Sequence, residues 1–281
     1  MIRFFPLRGL LAVAVALLAA GCQSAVFGFA NRSVPQADAN AVYDAATGLA
    51  LDIYKPMTAN PQGAPVVVFF YGGGWKTGER DQYRFVGHRL AQSGVLAIVA
   101  DYRTYPRAVF PGFVQDSAKA VAWSRQHAAE YGGDPRRLFV AGHSAGAQIA
   151  ALLGTDPRYL GTQGMRPSEL AGVIGLSGPY DFVISGGYER VFGDRAQWPQ
   201  AQAVNFVDGD EPPFLLVHGT GDRVVESKDS VELAQKLSLN GGKAELLLLP
   251  DAGHSAPAAA IYDPRRNPEV MRAIEAFIAA H

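Results

Sequence analysis

The stretch Gly142-His143-Ser144-Ala145-Gly146 carries the chain's clearest potential for chemistry. It stands between "RLFVAG" (Arg137 to Gly142), which reads as a buried strand, and a helix-like run from Gln148 to Gly154. A G-x-S-x-G in that setting turns the chain sharply and lifts the serine hydroxyl clear of the sheet. It also aims the unpaired N–H groups of a helix start at whatever the hydroxyl attacks. The plainer alternative is a Gly-rich turn whose Ser144 only caps the helix. A serine nucleophile needs a base for its proton and a carboxylate to orient that base. "HGTGDRVV" offers Asp222 and "PDAGHS" offers His254, each just past an apolar run, in the order nucleophile, acid, base. Taken singly, Asp222 reads as an Asx turn and His254 as a solvated loop histidine; their shared position and order make them partners of Ser144. Asp101 also follows a strand and is the next candidate acid, whereas Asp116 reads as structural. His143 is expected to point away from the nucleophile and His218 to pack or hydrogen-bond in its loop, while His88, His127 and His281 have no acid or nucleophile pattern beside them.

Acyl transfer builds negative charge on the substrate oxygen, and fixed backbone donors stabilise it. "YGGGWKTG" (Tyr71 to Gly78) follows an apolar run and lets the backbone approach closely, so the expected donors are the N–H groups of Gly73, Gly74 and Ala145. The segment from Ser177 to Asp210 is short, polar and aromatic, and reads as a small lid, with Trp75, Tyr180, Phe182, Tyr188 and Trp198 as candidate pocket walls or core packing.

These residues need a scaffold, and the chain supplies strand and helix signals in alternation. "LALDIYKP" (Leu49 to Pro56) alternates with period two and ends at proline, as an antiparallel edge strand does. Continuous apolar runs at 65–71, 95–100, 137–142, 171–178, 213–219 and 244–250 suit strands buried on both faces. Helices are expected near 83–93, 113–131, 148–154, 227–240 and from Pro268 to the C-terminus. Doubly wound sheets keep their chemistry at the C-terminal ends of their strands, where Ser144, Asp222 and His254 all fall.

With YGGGW, "DYRTYP", "EYGGDPRRLFVAGHSAGA", "HGTGDRVV" and "DAGHS" side by side, the chain resembles the α/β-hydrolase esterases grouped with hormone-sensitive lipase. It is most similar to the feruloyl-esterase-like, kynurenine-formamidase-like and prenylcysteine-methylesterase-like branch. Tyr71 stands where the family's HGGG form has histidine. The resemblance covers roughly Ala46 to the C-terminus and implies a three-layer α/β-hydrolase fold, with a mostly parallel sheet and helices on both faces, for a catalytic domain over residues 41–281. It also implies a serine carboxylic-ester hydrolase without cofactor or metal: Ser144 as nucleophile, Asp222 and His254 as its partners, and Gly73, Gly74 and Ala145 as oxyanion donors. Its rivals are an amide hydrolase of the arylformamidase kind, since only the leaving group differs, and a catalytically silent envelope binding module, against which the intact triad argues.

At 281 residues, 48% of them hydrophobic, the chain fills one large core. Its formal net charge of -1, with cations scattered, excludes the footprint of a nucleic-acid binder and points to a small-molecule ester as partner. Arg3 and Arg8 beside the apolar run from Leu10 to Ala20 read as a secretory signal in residues 1–22. Ala19-Ala20-Gly21-Cys22 resembles a bacterial lipobox, so Cys22, the lone cysteine, is the expected lipidation site, followed by a tether over 23–40. The expected location is the bacterial cell envelope, membrane-anchored, with a soluble secreted or periplasmic form as the alternative.

Overall fold

The computed structural model describes residues 27–58 and 60–281. The expected signal, the lipobox and Cys22 lie outside the described residues.

Eight strands form one sheet in the order β1-β2-β4-β3-β5-β6-β7-β8. They are β1 (Ala39–Asp44), β2 (Leu49–Tyr54), β3 (Ala64–Phe70), β4 (Leu96–Ala100), β5 (Gly133–His143), β6 (Gly172–Leu176), β7 (Phe214–Gly219) and β8 (Ala244–Leu249). From β4 through β8 all neighbours are parallel, whereas β1 and β2 join antiparallel. Parallel strands need crossovers, and here these are helices that cover both faces. α1 (Arg84–Gln92) packs on β4 and, at the same face, α8 (Pro268–Ala280) on β7; α2 (Gly112–His127) and α3 (Ala145–Thr155) pack on β5 from the other side, with α6 (Lys228–Leu239) against β8. Short helices α4 (Pro157–Gly161), α5 (Glu189–Phe192) and α7 (Ala256–Tyr262) complete the chain. Every residue of β4 and β6 is buried, which is why these strands read as unbroken apolar runs.

Three expectations are corrected. The run 244–250, expected to be buried on both faces, forms β8 at one edge of the sheet, where Leu249 is buried but Leu246 and Leu248 are exposed. β2 is not the sheet edge, because β1 pairs outside it, with Ala39 opposite Ile53 and Ala41 opposite Leu51. The six residues of β1, ANAVYD, are short and mostly weak strand formers, and pairing to β2 together with Tyr43 Oη donating to Asp101 O (2.6 Å) holds them there. The tether expected over 23–40 is docked from residue 27 on. Residues 27–31 are helical, Phe27 lies 5.1 Å from the Tyr83 ring, and Asn31 is buried. The Asn31 amide satisfies three backbone groups, donating to Asp81 O and Gln82 O and accepting from Phe85 N. Such pairing offsets the cost of burying the amide, and it fixes the segment to the start of α1.

The helix after the nucleophile begins at Ala145, earlier than the expected Gln148, because the turn itself is the helix start. The expected helix over 113–131 is α2 followed by a 3₁₀ turn at Ala128–Tyr131.

Candidate active site

β5 ends at His143, α3 begins at Ala145, and Ser144 between them holds φ 54° and ψ -120°, a conformation L-residues rarely adopt. The surrounding fold maintains this geometry. Ser144 N donates to Leu176 O at the end of β6 (2.9 Å), and the Ser144 carbonyl accepts from Ala147 N. The flanking glycines are there for close approach. A Cβ on Gly142 would run into the Gly146 carbonyl, and one on Gly146 into the carbonyls of Phe70 and Tyr71. The motif thus presses the nucleophile turn against the end of β3, from which the Gly-rich loop departs.

The hydroxyl of Ser144 meets His254 Nε2 at 2.9 Å. His254 Nδ1 in turn meets Asp222 Oδ2 at 2.7 Å. These residues come from the loops after β5, β7 and β8, so parallel strand ends bring together side chains 110 and 32 positions apart. The Asp222 side chain is fully buried, and its other oxygen accepts from Val224 N (2.8 Å) and Val225 N (3.0 Å). Burial pushes the Asp222 carboxyl upward, but the Val225 amide, the bond to His254 and the Val224 amide outweigh it, so it lies below the ordinary carboxylate range. The acid is therefore an ionised carboxylate that accepts from Nδ1–H, leaving the Nε2 lone pair directed at the Ser144 hydroxyl. Ser144 and His254 are partly exposed, where a substrate can reach them, whereas Asp222 lies buried behind the imidazole.

His218 shares the acid. Its Nε2 faces Asp222 Oδ2 (3.2 Å) and the Val225 carbonyl (3.1 Å), two acceptors, while Nδ1 meets Ser230 Oγ at 2.7 Å. The proton on that ring therefore sits on Nε2, and burial holds the ring's pKa down, so His218 is a neutral donor that helps fix the carboxylate. The sequence pattern has His218 packing or hydrogen-bonding in its loop, and it does hydrogen-bond, but nothing local shows that its partner is the acid.

Asp101, the other candidate acid, is turned to Arg80, accepting from both its backbone N–H and its guanidinium. Asp116 is buried with Arg103, whose Nε and Nη2 reach it at 2.8 and 2.7 Å. Neither faces the nucleophile's base.

Gly72 lies directly beside the nucleophile, since a Cβ there would meet His143 Nδ1 at 3.0 Å and the Ser144 Cβ at 3.1 Å. Gly73 and Gly74 follow with φ 135° and 59°. They are partly exposed between buried Gly72 and Trp75, and among the described residues neither N–H donates to a protein acceptor. Ala145, the first residue of α3, adds the helix-start N–H. The Gly-rich loop and the nucleophile turn thus adjoin, as the expected oxyanion donors Gly73, Gly74 and Ala145 require.

The aromatic candidates divide. Trp75, Phe182 and Tyr188 cluster over this loop, with ring centroids 5.5 Å apart for Trp75–Phe182 and for Trp75–Tyr188. Phe192, not singled out by the sequence, completes the group at 4.8 Å from Trp75. Buried Gln148, one helical turn past the nucleophile, accepts from Trp75 Nε1 (3.1 Å) and donates to Ala201 O (2.8 Å), tying the loop to the lid. Tyr180 is instead fully buried core under Gly175 and Gly178, and Trp198 bonds within the lid to Gly193 O.

Comparison with known proteins places this geometry. The BD-FAE family model matches residues 51–237. A probable isoprenylcysteine alpha-carbonyl methylesterase of Oryza sativa subsp. japonica is 31% identical over 229 residues, 73% of this chain and 54% of the rice protein. Esterase LipC of Mycobacterium tuberculosis is 30% identical over 252 residues, 81% of this chain and 61% of that protein. The chain thus spans little more than half the length of these curated relatives. Among solved structures, the apo form of Thermogutta terrifontis esterase 2 superposes with a TM-score of 0.75 at 26% identity, covering 88% of this chain and 96% of that one. The chain belongs to the BD-FAE family, within the α/β-hydrolase serine esterases.

Proposed function

We propose that this protein is a serine carboxylic-ester hydrolase that works through an acyl-enzyme. The observation that carries the reading is the continuous hydrogen-bonded line from Ser144 Oγ through His254 to Asp222, at 2.9 and 2.7 Å. His254 Nε2 takes the Ser144 proton as Oγ attacks the ester carbonyl. The negative charge on the carbonyl oxygen is met by the N–H groups of Gly73, Gly74 and Ala145, and Asp222 balances the imidazolium. His254 then hands the proton to the departing alcohol, leaving the acyl group on Ser144. A water molecule, deprotonated by the same imidazole, releases the acid and restores the serine. The names of the relatives, esterases and a probable carboxylic ester hydrolase, support an ester over an amide.

The test is turnover of nitrophenyl esters of increasing acyl length, beside feruloyl esters, acetylated xylan and N-formylkynurenine, with fluorophosphonate labelling in parallel. Ester turnover and a label lost in Ser144→Ala fit the reading; preference for the formamide, or a label that persists in Ser144→Ala, overturns it. We further propose that Cys22 carries lipid and anchors the protein to a bacterial envelope membrane, which the signal-like residues before it support. Cys22→Ala should release the protein to the soluble fraction with its activity per molecule unchanged, and unlabelled, soluble wild type in palmitate-feeding experiments would end that part.

A further inference from the structure

His143 has no step in the chemistry above, yet it is buried between the parts that perform it. Its Nε2 lies 3.2 Å from the backbone carbonyl of His254, and its Nδ1 lies 3.3 Å from Tyr83 Oη. Tyr83 Oη in turn accepts from the Gly72 N–H at 3.2 Å. The proton positions along this line follow from what each group can do. A carbonyl only accepts, so the ring proton is on Nε2. The neutral ring then offers Nδ1 as an acceptor, so Tyr83 must donate its single proton there, and its oxygen is left to receive the Gly72 N–H. One arrangement satisfies all these groups, and no hydrogen is left over.

We infer that Tyr83 and His143 are positioning residues that hold the oxyanion loop and the base-bearing loop in register with the nucleophile. At one end Gly72 precedes the expected donors Gly73 and Gly74 and lies beside Ser144; at the other is the main chain of the base itself. Between them stands the residue adjoining Ser144 in the chain. The Tyr83 ring is buried among Phe69, Tyr71 and Phe85, with centroids 5.5, 6.2 and 5.8 Å away, so its hydroxyl is a fixed reference point. Neither side chain contacts substrate in this role. Their contribution is the relative placement of donors and base, on which turnover depends steeply while ground-state binding does not.

The inference rests on the esterase reading, and its test separates the two. Tyr83→Phe deletes one oxygen, and His143→Phe removes both ring nitrogens at similar volume. Each should lower kcat on nitrophenyl acetate by about 10- to 100-fold, with KM within about twofold and fluorophosphonate labelling slowed in parallel. The double variant should lose no more than the worse single variant, because one line is broken once. His143→Gln, whose amide offers a donor and an acceptor at similar spacing, should recover kcat to within about threefold of wild type. Ring ¹⁵N spectra give a readout independent of activity: wild-type His143 should be neutral and protonated on Nε2. If Ser144-dependent turnover survives Tyr83→Phe and His143→Phe, if their losses multiply, if Gln fails to rescue, or if the proton is on Nδ1, the inference is wrong. Turnover that persists in Ser144→Ala would instead overturn the esterase reading.

Discussion

Acid stability offers a direct measure of what burying His143 costs. Burial, and then the neighbouring His254, lower its pKa from 6.5 to about 4. A native ring that stays neutral while the unfolded one charges makes the unfolded state bind more protons between those pH values. Stability from this group is therefore complete above pH 6.5 and falls as pH drops towards 4. At about pH 4.5 the unfolded histidine is almost fully protonated and the native one mostly is not, a difference of nearly two decades in proton binding, or about 2.5 kcal/mol. The perturbation is His143→Gln, which keeps a donor for His254 O and cannot charge. Urea unfolding of both proteins at pH 7 and pH 4.5 supplies each with its own reference, and every other titrating group, buried His218 included, is common to the pair. Wild type should lose about 2 kcal/mol more than the variant over this interval, with a melting temperature about 4–8 °C further down. Equal losses would show that native His143 accepts a proton as readily as the unfolded chain does, and the neutral, carbonyl-bonded ring described above would be refuted.

Ser144→Ala should abolish fluorophosphonate labelling and lower kcat by about 10⁴-fold or more, and Asp222→Asn, which spoils the tautomer of His254 while keeping shape, by about 10⁴-fold, the two losses not adding in the double variant. Ser144→Gly should be equally inactive but more stable, by about 1 kcal/mol in urea unfolding, because glycine accepts a positive φ and relieves strain of about 1–3 kcal/mol at the cost of a looser unfolded chain. Gly146→Ala, which drives a methyl into the Phe70 and Tyr71 carbonyls, should fold poorly or melt far below wild type, and a normal melting curve would contradict the close packing of the turn. Asn31→Ala should cost about 1–3 kcal/mol by stranding the backbone groups of Asp81, Gln82 and Phe85, whereas a true tether would tolerate it without change.

The parts of the site that could be read from the sequence are those that follow from local pattern. Ser144 and Asp222 each come just after an apolar run that is a buried strand. His254 comes after β8, whose equally apolar run is an exposed sheet edge, and parallel strands put all three loops at one end. The Gly-rich loop at 71–78 was legible for the same reason, as glycines following the end of β3. What stayed hidden depends on partners distant in the chain. Nothing in ANAVYD announces a strand, because β1 is held by its pairing to β2 and by the Tyr43 bond to Asp101. The polar, small composition of 23–40 reads as a tether, and only the carbonyls of Asp81 and Gln82, about fifty residues on, make Asn31 a buried clasp. His143 was expected to turn from the nucleophile, and it does turn to other partners. That those partners are Tyr83, 60 residues earlier, and the base's own carbonyl, 111 residues later, is a property of the fold alone.

The three histidines gathered here show how the fold confines charge to one of them. His143 and His218 are both buried, and burial lowers the pKa of each; His218 gives its Nε2 proton to the acid and to Val225 O, and His143 gives its own to the base's main chain. His218 also bridges Asp222 and a hydroxyl, that of Ser230, but His218 and Ser230 are both fully buried; His254 bridges Asp222 and the Ser144 hydroxyl at a partly exposed position. Neutrality in its neighbour matters energetically. The His143 and His254 ring centroids are 5.1 Å apart, and two unit charges at that distance repel by about 3 kcal/mol at an effective dielectric of about 20. A protonated His143 would raise the energy of the imidazolium that forms on His254 as Ser144 attacks, slowing the step by about 100-fold. A residue at position 143 must therefore donate to the His254 carbonyl without carrying charge, a requirement that glutamine meets and lysine or arginine does not. His143→Lys should consequently lose far more turnover than His143→Gln at neutral pH, and equal rates for the two would show that charge beside the base is of no consequence here.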